Sequence, residues 1–345
     1  MKKTILLVLV LVLGMAVEVV NADFTFGALQ DLGLGNGGYS SVSADELELY
    51  FTSNRAGGLG NRDLWVSTRQ SVDDPWGPPA NLQTVNSPYQ EGFPCISRDG
   101  LTLYFCDFFY GPDRPGGLGK HDMWFSTRAS RNDPWGAPVN MGAPFSSLSH
   151  DISPTLSHDG LTFIFASGSV REAVVVAGSN YDLWMCTRPS VQEAWGPPVN
   201  MGPGVNSSAH DYCGNLSPDG LVLFFESQRS GSYRVWLTKR RTVNDPWEPP
   251  VPLPEPMYSM GVGCVSADGS MFYAGMSQVP ILPIVDLNGD GIVDGADLTI
   301  IVDHWGTDDP LCDIGPMPWG DGIVDVQDLI VLAEHLFEEI PRTGR

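Results

Sequence analysis

The chain has 345 residues, enough for two or three domains, and a formal net charge of -22 from 19 Lys and Arg against 41 Asp and Glu. Such an acidic chain repels a phosphate backbone, which argues against a nucleic-acid partner. With 42% hydrophobic residues, 39 Gly, 28 Pro and 10 Trp, the composition excludes disorder and points to a turn-rich all-β fold.

The first 22 residues read as an export signal. Lys2 and Lys3 precede an apolar stretch from Ile5 to Ala16. Glu18 breaks it, and Val20-Asn21-Ala22 suits a cleavage site. An uncleaved membrane anchor is the alternative. No later run is long enough to span a bilayer. The expected location is therefore outside the cytoplasm: secreted, periplasmic or at the cell surface. Six scattered cysteines (95, 106, 186, 213, 264 and 312) do not form a disulfide framework.

Residues 23–285 carry a repeat. A Ser-x-Asp turn recurs at Asp45, Asp99, Asp159, Asp219 and Asp268, at spacings of 54, 60, 60 and 49. Asp63-Leu64-Trp65, Asp122-Met123-Trp124, Asp182-Leu183-Trp184 and the degenerate Arg234-Val235-Trp236 form a second marker. The third is Trp76-Gly77-Pro78-Pro79, Trp135-Gly136-Ala137-Pro138, Trp195-Gly196-Pro197-Pro198 and Trp247-Glu248-Pro249-Pro250. Within a unit, Leu161 to Ala166 and Tyr181 to Thr187 read as strands joined by a Gly-rich loop. Four strands per ~50–60 residues is the mark of a propeller blade. Phe26 to Gly33 resembles an outer strand with no blade before it. The fifth unit, ending in a candidate strand Val279 to Val285, lacks one. The expected fold is a five-bladed all-β propeller closed by the N-terminal strand, with six blades as the alternative. The Ser-x-Asp-Gly turns and Asp-Leu-Trp strands resemble the WD40-like (PD40) repeats of TolB-type propellers. That resemblance implies fold rather than function.

An acid lies eight residues before three of the turns: Glu91, Asp151 and Asp211. Its equivalents in the other units are Gly37 and Met260. On inner strands these acids stand at one mouth of the channel. Paired carboxylates there suit glycoside hydrolysis, with His150 and His210 as neighbours. The competing reading is a scaffold role repeated from blade to blade. Phe108, Phe109 and Tyr110 either stack on a sugar or pack against a neighbouring blade. No Ser-, Cys- or zinc-hydrolase motif is present, and the six His show no metal-ligand spacing.

Residues 281–345 hold 14 acidic and 2 basic residues. Asp286 to Asp297 forms a twelve-residue loop with oxygen donors at Asp286, Asn288, Asp290, Asp294 and Asp297, and the Ile292 carbonyl. Gly291 sits at the sharp turn. This is an EF-hand-type pattern for Ca2+. Leu298, Ile301, Val302 and Trp305 then mark a helix with one apolar face. Asp321, Ile323, Asp325 and Asp328 repeat the pattern 31 residues on. There Met317 and Trp319 replace two donors, and Asp313 offers a substitute for the first. Duplicated loop and helix over residues 286–338 resembles a type I dockerin, an α-helical EF-hand-like domain, before a tail of residues 339–345. The resemblance implies docking to a cohesin-like protein or cell-surface assembly, through Gly295, Ala296, Val326 and Gln327, in a context of polysaccharide breakdown. Metal stapling of a small domain is the compatible, plainer reading. The overall expectation is an exported, non-catalytic recognition propeller with a calcium-dependent docking module. The alternative is a glycoside hydrolase using the channel carboxylates.

Overall fold

The computed structural model describes residues 24–107, 114–168, 180–253, 257, 261–288, 290–307, 309, 312–315, 320 and 323–338. The expected signal segment, Phe108 to Tyr110, Met317, Trp319, Asp321 and the 339–345 tail lie outside them.

Two short strands open the chain, β1 (Phe24–Phe26) and β2 (Gln30–Asp31). Four complete blades follow. The first holds β3 (Gly38–Val42), β4 (Glu48–Ser53), β5 (Asp63–Thr68) and β6 (Ala80–Asn81). The second holds β7 (Glu91–Ile96), β8 (Thr102–Asp107), β9 (Met123–Thr127) and β10 (Val139–Asn140). The third holds β11 (Asp151–Leu156), β12 (Thr162–Gly168), β13 (Tyr181–Thr187) and β14 (Val199–Asn200). The fourth holds β15 (Asp211–Leu216), β16 (Val222–Ser227), β17 (Arg234–Lys239) and β18 (Val251–Pro252). The fifth combines β19 (Cys264–Val265), β20 (Met271–Ala274) and β21 (Ser277–Pro283) with β1 and β2. Each sheet is antiparallel, and inner strands neighbour one another around the ring, β19 returning to β3. The chain is a five-bladed β-propeller.

Closure follows the expected logic in finer detail. The N-terminal segment supplies two strands to β21, pairing Phe26 with Ile281 and Gln30 with Gln278. The last strand of the fifth blade starts at Ser277, two residues earlier than the pattern suggests, and ends at Pro283. The outer strands form just after the Pro-Pro pairs rather than on them, because Pro cannot donate to the ladder.

The repeat markers are hydrogen-bonding devices. In every Ser-x-Asp turn the Ser hydroxyl donates to the Asp carboxylate, as Ser157 does to Asp159 at 2.6 Å. The Asp accepts from the backbone N–H two residues on, and Ser Oγ from the one five residues on. The residue after the Asp has positive φ, +73° at Gly160, and is glycine in every turn but the first, where Glu46 takes +57°. Each Trp of the third marker lies under an arginine seven residues earlier. Arg69, Arg128, Arg188 and Arg240 sit 4.2–4.5 Å above Trp76, Trp135, Trp195 and Trp247. The same guanidinium Nε donates to the turn carbonyl of Glu46, Gly100, Gly160 or Gly220. Trp195 also meets Phe145 and Phe163 edge-on. Trp195→Ala should therefore cost about 3–5 kcal/mol, read as a shift in the urea midpoint.

Beyond Pro283 the chain enters a second, small core without a linker. Val285 packs with Val293, Ile301, Cys312, Ile314, Val324, Val331 and Leu332. Two helices contribute to it, α1 (Gly295–Asp303) and α2 (Val326–Glu334). Each starts with a reciprocal capping box, Asp294 with Asp297 and Asp325 with Asp328. The two halves interlock. Val293 pairs through its backbone with Phe337 and Glu338, and Val324 with Gly306 and Thr307. Of the expected apolar face of α1 only Ile301 is buried, whereas Leu298, Val302 and Trp305 are 39%, 54% and 48% exposed. Asp297, Ile300 and Ile301 form the core-facing side of α1 instead, so the stripe faces solvent. No helix among the described residues is long and apolar enough to cross a membrane. All six cysteines are buried, and none is in a disulfide.

Candidate functional site

The three acids each open an inner strand: Glu91 on β7, Asp151 on β11 and Asp211 on β15. All three are completely buried. Each closes the turn that precedes it. Ser147 donates its N–H and its hydroxyl to Asp151 Oδ2, both at 2.6 Å, and Ser167 donates its hydroxyl to Oδ1. Ser207 does the same for Asp211, at 2.6 and 2.8 Å. Ser87 donates its hydroxyl to Glu91.

A second arginine series completes the arrangement. Arg114 donates to Glu91 at 2.5 Å and Arg229 to Asp211 at 2.9 Å. Each guanidinium also reaches a carbonyl of the preceding turn, Val85 or Val205. Each lies between two rings, Phe105 and Trp124 or Phe225 and Trp236. In the first blade, where Gly37 replaces the acid, Arg55 keeps the same place over Phe51 and Trp65. It donates to the Leu34 and Asn36 carbonyls instead. The acid is thus one of several acceptors for a repeated arginine.

Neighbouring blades are tied together at this mouth. The N–H of Glu91 donates to the Arg62 carbonyl, and that of Asp151 to the His121 carbonyl. The Gly-rich loops fold onto the Asp of the second marker, where Asp63 accepts from Leu59 and Gly60. Their last glycine touches the next blade. A Cβ on Gly60 would fall 1.8 Å from the Tyr89 carbonyl oxygen, and one on Gly119 2.2 Å from that of Ser147. Gly60→Ala is expected to destabilise by about 1–3 kcal/mol, measured by thermal melting, because backbone rather than a side chain blocks the methyl.

Two further carboxylates, which the sequence reasoning missed, lie in the same layer. Asp107 pairs across the sheet with Glu91 and accepts from Trp124 Nε1 at 2.9 Å. Burial pushes its pKa up to about 6, against the pull of Trp124 and Arg114. Burial also raises Glu91. Glu226 accepts from the Val262 N–H at 2.9 Å, and burial raises its pKa too. A row of rings runs along this rim. His121 and His150 centroids are 4.5 Å apart, His150 and Tyr181 6.2 Å, and Tyr181 and His210 5.4 Å.

Midway along the inner strands, four residues lining a recess of about 280 Å³ share one unusual conformation. Tyr39, Phe93, Ser153 and Cys213 occupy one register position on four inner strands, each at a β-bulge and with φ between +50° and +56°. This left-handed conformation is costly for bulky residues. Tyr39 and Phe93 rings meet at a tilt of 41° with centroids 4.1 Å apart, and Ser153 Oγ meets Cys213 Sγ at 3.5 Å. The larger opening lies at the opposite mouth. It is an open recess of about 570 Å³ lined by the far ends of all five inner strands, with Arg98, His158 and Asn215 among its polar groups. Burial and the nearby Arg98 charge lower the His158 pKa.

In the small domain the first loop is closed by its own carboxylates. Asp286 accepts from the N–H groups of Asp290 and Gly291, and Asp290 from that of Ile292. Asp297 is fully buried and accepts from Asn288 and Asp294. The second loop reproduces the end of this pattern. Asp328, also fully buried, accepts from Ile314, Gly315 and Asp325. Gly320 returns the chain to Asp313, whose carboxylate would lie 2.4 Å from a Cβ there. Ile323 is exposed, Asp325 caps α2, and Asp321 is outside the described residues.

No family model matches the chain, and no curated protein does. Among solved structures, an endo-arabinase from Bacteroides thetaiotaomicron is similar at 14% identity and TM-score 0.47, over 75% of this chain and 97% of that one. A Penicillium chrysogenum α-L-arabinanase complexed with arabinobiose gives 14% and 0.47, over 73% and 78%. TolB from Acinetobacter baumannii gives 15% and 0.42 over 74% of this chain, which spans 54% of that protein's length. Likeness at this level does not bear on chemistry. The propeller rests on the strand pairing above.

Proposed function

We propose that the protein is an exported recognition propeller without hydrolytic activity, carried by a calcium-dependent docking module. The observation that supports the first half is the condition of the three acids. Each is buried and held by a serine turn, two of them also by an arginine, within its own blade. A carboxylate at 0% exposure in that role can neither protonate a glycosidic oxygen nor activate a water unless its turn opens. The recess at the opposite mouth is the place for a small polar ligand.

The docking half rests on the small domain. Residues 286–338 contain 13 acidic residues and no Lys or Arg. Their buried carboxylates therefore have no basic side chain of their own domain to offset them, and a hard dication suits the oxygen donors. Asp286, Asn288, Asp290, Asp294 and Asp297, with the Ile292 carbonyl, would hold one Ca2+. Asp313, Asp321, Asp325, Asp328 and the Ile323 carbonyl would hold the second. Leu298, Val302 and Trp305, exposed on one stripe of α1, offer the apolar contact that a cohesin-like partner needs.

Reducing-end release from a polysaccharide panel, in calcium, tests the first half. No release is expected from the chain beginning at residue 23. Release that disappears in Asp151→Asn would make the protein a glycosidase, the second reading. The rim of His150, Tyr181 and His210 is the feature that would then bind sugar. Calcium titration tests the other half. At a hundredfold excess over Kd, Ca2+ should stabilise the small domain by about 2.7 kcal/mol. Asp290→Ala should abolish the gain at the first loop. Binding to a panel of cohesin domains should require calcium and weaken in Val302→Asp.

A further inference from the structure

We infer that the small domain carries a third metal site, distinct from both loops, built by His304, Asp309 and Cys312 and suited to Zn2+ or a similar borderline dication. Among the described residues this is the one place where a His, a carboxylate and a thiol offer ligand atoms all within 4.8 Å of one another. His304 Nε2 lies 3.4 Å from Asp309 Oδ2. Ligands about 2.0–2.3 Å from a tetrahedral ion stand at separations of this order from one another.

A second observation points to a ligand. His304 Nδ1 lies 2.9 Å from the Ile300 carbonyl oxygen. A carbonyl only accepts, so Nδ1 carries the proton and donates it. In the neutral ring this leaves the lone pair on Nε2, the atom aimed at Asp309. A backbone carbonyl fixing the tautomer in this way is the usual support of a metal-binding imidazole. The loop is held in register by its own bonds. Thr307 Oγ1 donates to the His304 carbonyl at 2.6 Å, and the Cys312 N–H to the Asp309 carbonyl at 3.0 Å. His304 is the C-cap of α1, and Cys312 sits in the small core.

The donor set sets this site apart from the calcium loops. A thiolate and an imidazole suit Zn2+, Co2+ or Cu2+, while Ca2+ takes oxygen. Three protein ligands leave a fourth position open to water or to a side chain of a partner. The bound ion would staple the end of α1 to the start of the second loop, next to Asp313.

Cobalt titration of the chain from residue 23, in saturating calcium, tests the assignment. One equivalent of Co2+ is expected to give a thiolate-to-metal charge-transfer band that Zn2+ displaces. Cys312→Ser should remove the band, and His304→Gln should weaken binding about tenfold or more while leaving it. His304 is partly exposed at a helix end, so its variant stays folded even if the Cys312 variant does not. Absence of the band in the parent chain overturns the site, as does a band that survives in folded Cys312→Ser. Unchanged cobalt affinity in His304→Gln also overturns it. Calcium binding by the loops is unaffected in His304→Gln.

Discussion

Deleting residues 24–33 should make the chain prone to aggregate. The deletion uncovers the whole of β21, a seven-residue edge that otherwise pairs with both β1 and β2. A long unpaired edge is a template for another chain. It also removes Phe24, buried between blades and 6.2 Å from the Phe224 ring, and Phe26, which meets Phe272 at 6.2 Å. Phe24→Ala alone should cost about 3–5 kcal/mol. Size-exclusion chromatography reads the deletion, and urea unfolding the point variant. A synthetic peptide of residues 24–33 added in trans should suppress the aggregation. A deletion variant that does not aggregate and keeps an unchanged melting temperature would mean that the ring does not depend on this closure.

Removing the carboxylate of Glu91 should be nearly as damaging. Glu91→Ala leaves the Arg114 guanidinium buried with only Asp107, 3.8 Å away, to balance it. Stranding a buried charge costs about 3–5 kcal/mol, and Asp107 should hold the loss to the low end. Glu91→Gln, which keeps an acceptor, should lose less. The pH dependence has a definite sign. Asp107 is raised by burial from 3.8 to about 6, so the folded state holds a proton that the unfolded state has released. Its contribution is therefore fully present below about pH 4 and is lost as pH rises through about 6. Asp107→Asn removes that slope and keeps an acceptor for Trp124. It should stabilise the chain at pH 7 by on the order of 3 kcal/mol and have little effect at pH 4. Urea midpoints at the two pH values check this. Equal effects at both would place the buried charge elsewhere.

The blades were legible because their markers do local work. Ser157, Asp159 and Gly160 specify one turn through bonds that span at most five residues, so the signal survives in the sequence. Ring closure was legible as an outer strand without a blade at one end and a blade without an outer strand at the other. The arginines were equally periodic: Arg69, Arg128, Arg188 and Arg240 stand seven residues before each marker Trp. They went unread because a surface arginine in a loop has many explanations, and only the stacking distance selects one. The bulges at Tyr39, Phe93, Ser153 and Cys213 left no signal. Four unlike side chains share a backbone conformation imposed by the sheet rather than by residue type. For the acids, the period gave the strand and the mouth of the channel. It did not give burial, which depends on partners such as Arg114 and Arg229 eighteen or more residues away. His304, Asp309 and Cys312 lie only five and three residues apart, but a mixed set of one His, one Asp and one Cys matches no standard metal motif. The loop between them brings them together.

The pairing of Phe26 with Ile281 has a consequence for how the protein is made. The strand that locks the ring is synthesised about 250 residues before its partner. At roughly 5–20 residues per second it waits on the order of ten to fifty seconds for a place to go. Throughout that interval blades one to four can each form from local hairpins, while the apolar Phe24 and Phe26 stay unsheltered. The nascent chain therefore carries a sticky leading end for most of its synthesis. The step most open to error is the last one, when the two ends of the ring must find each other.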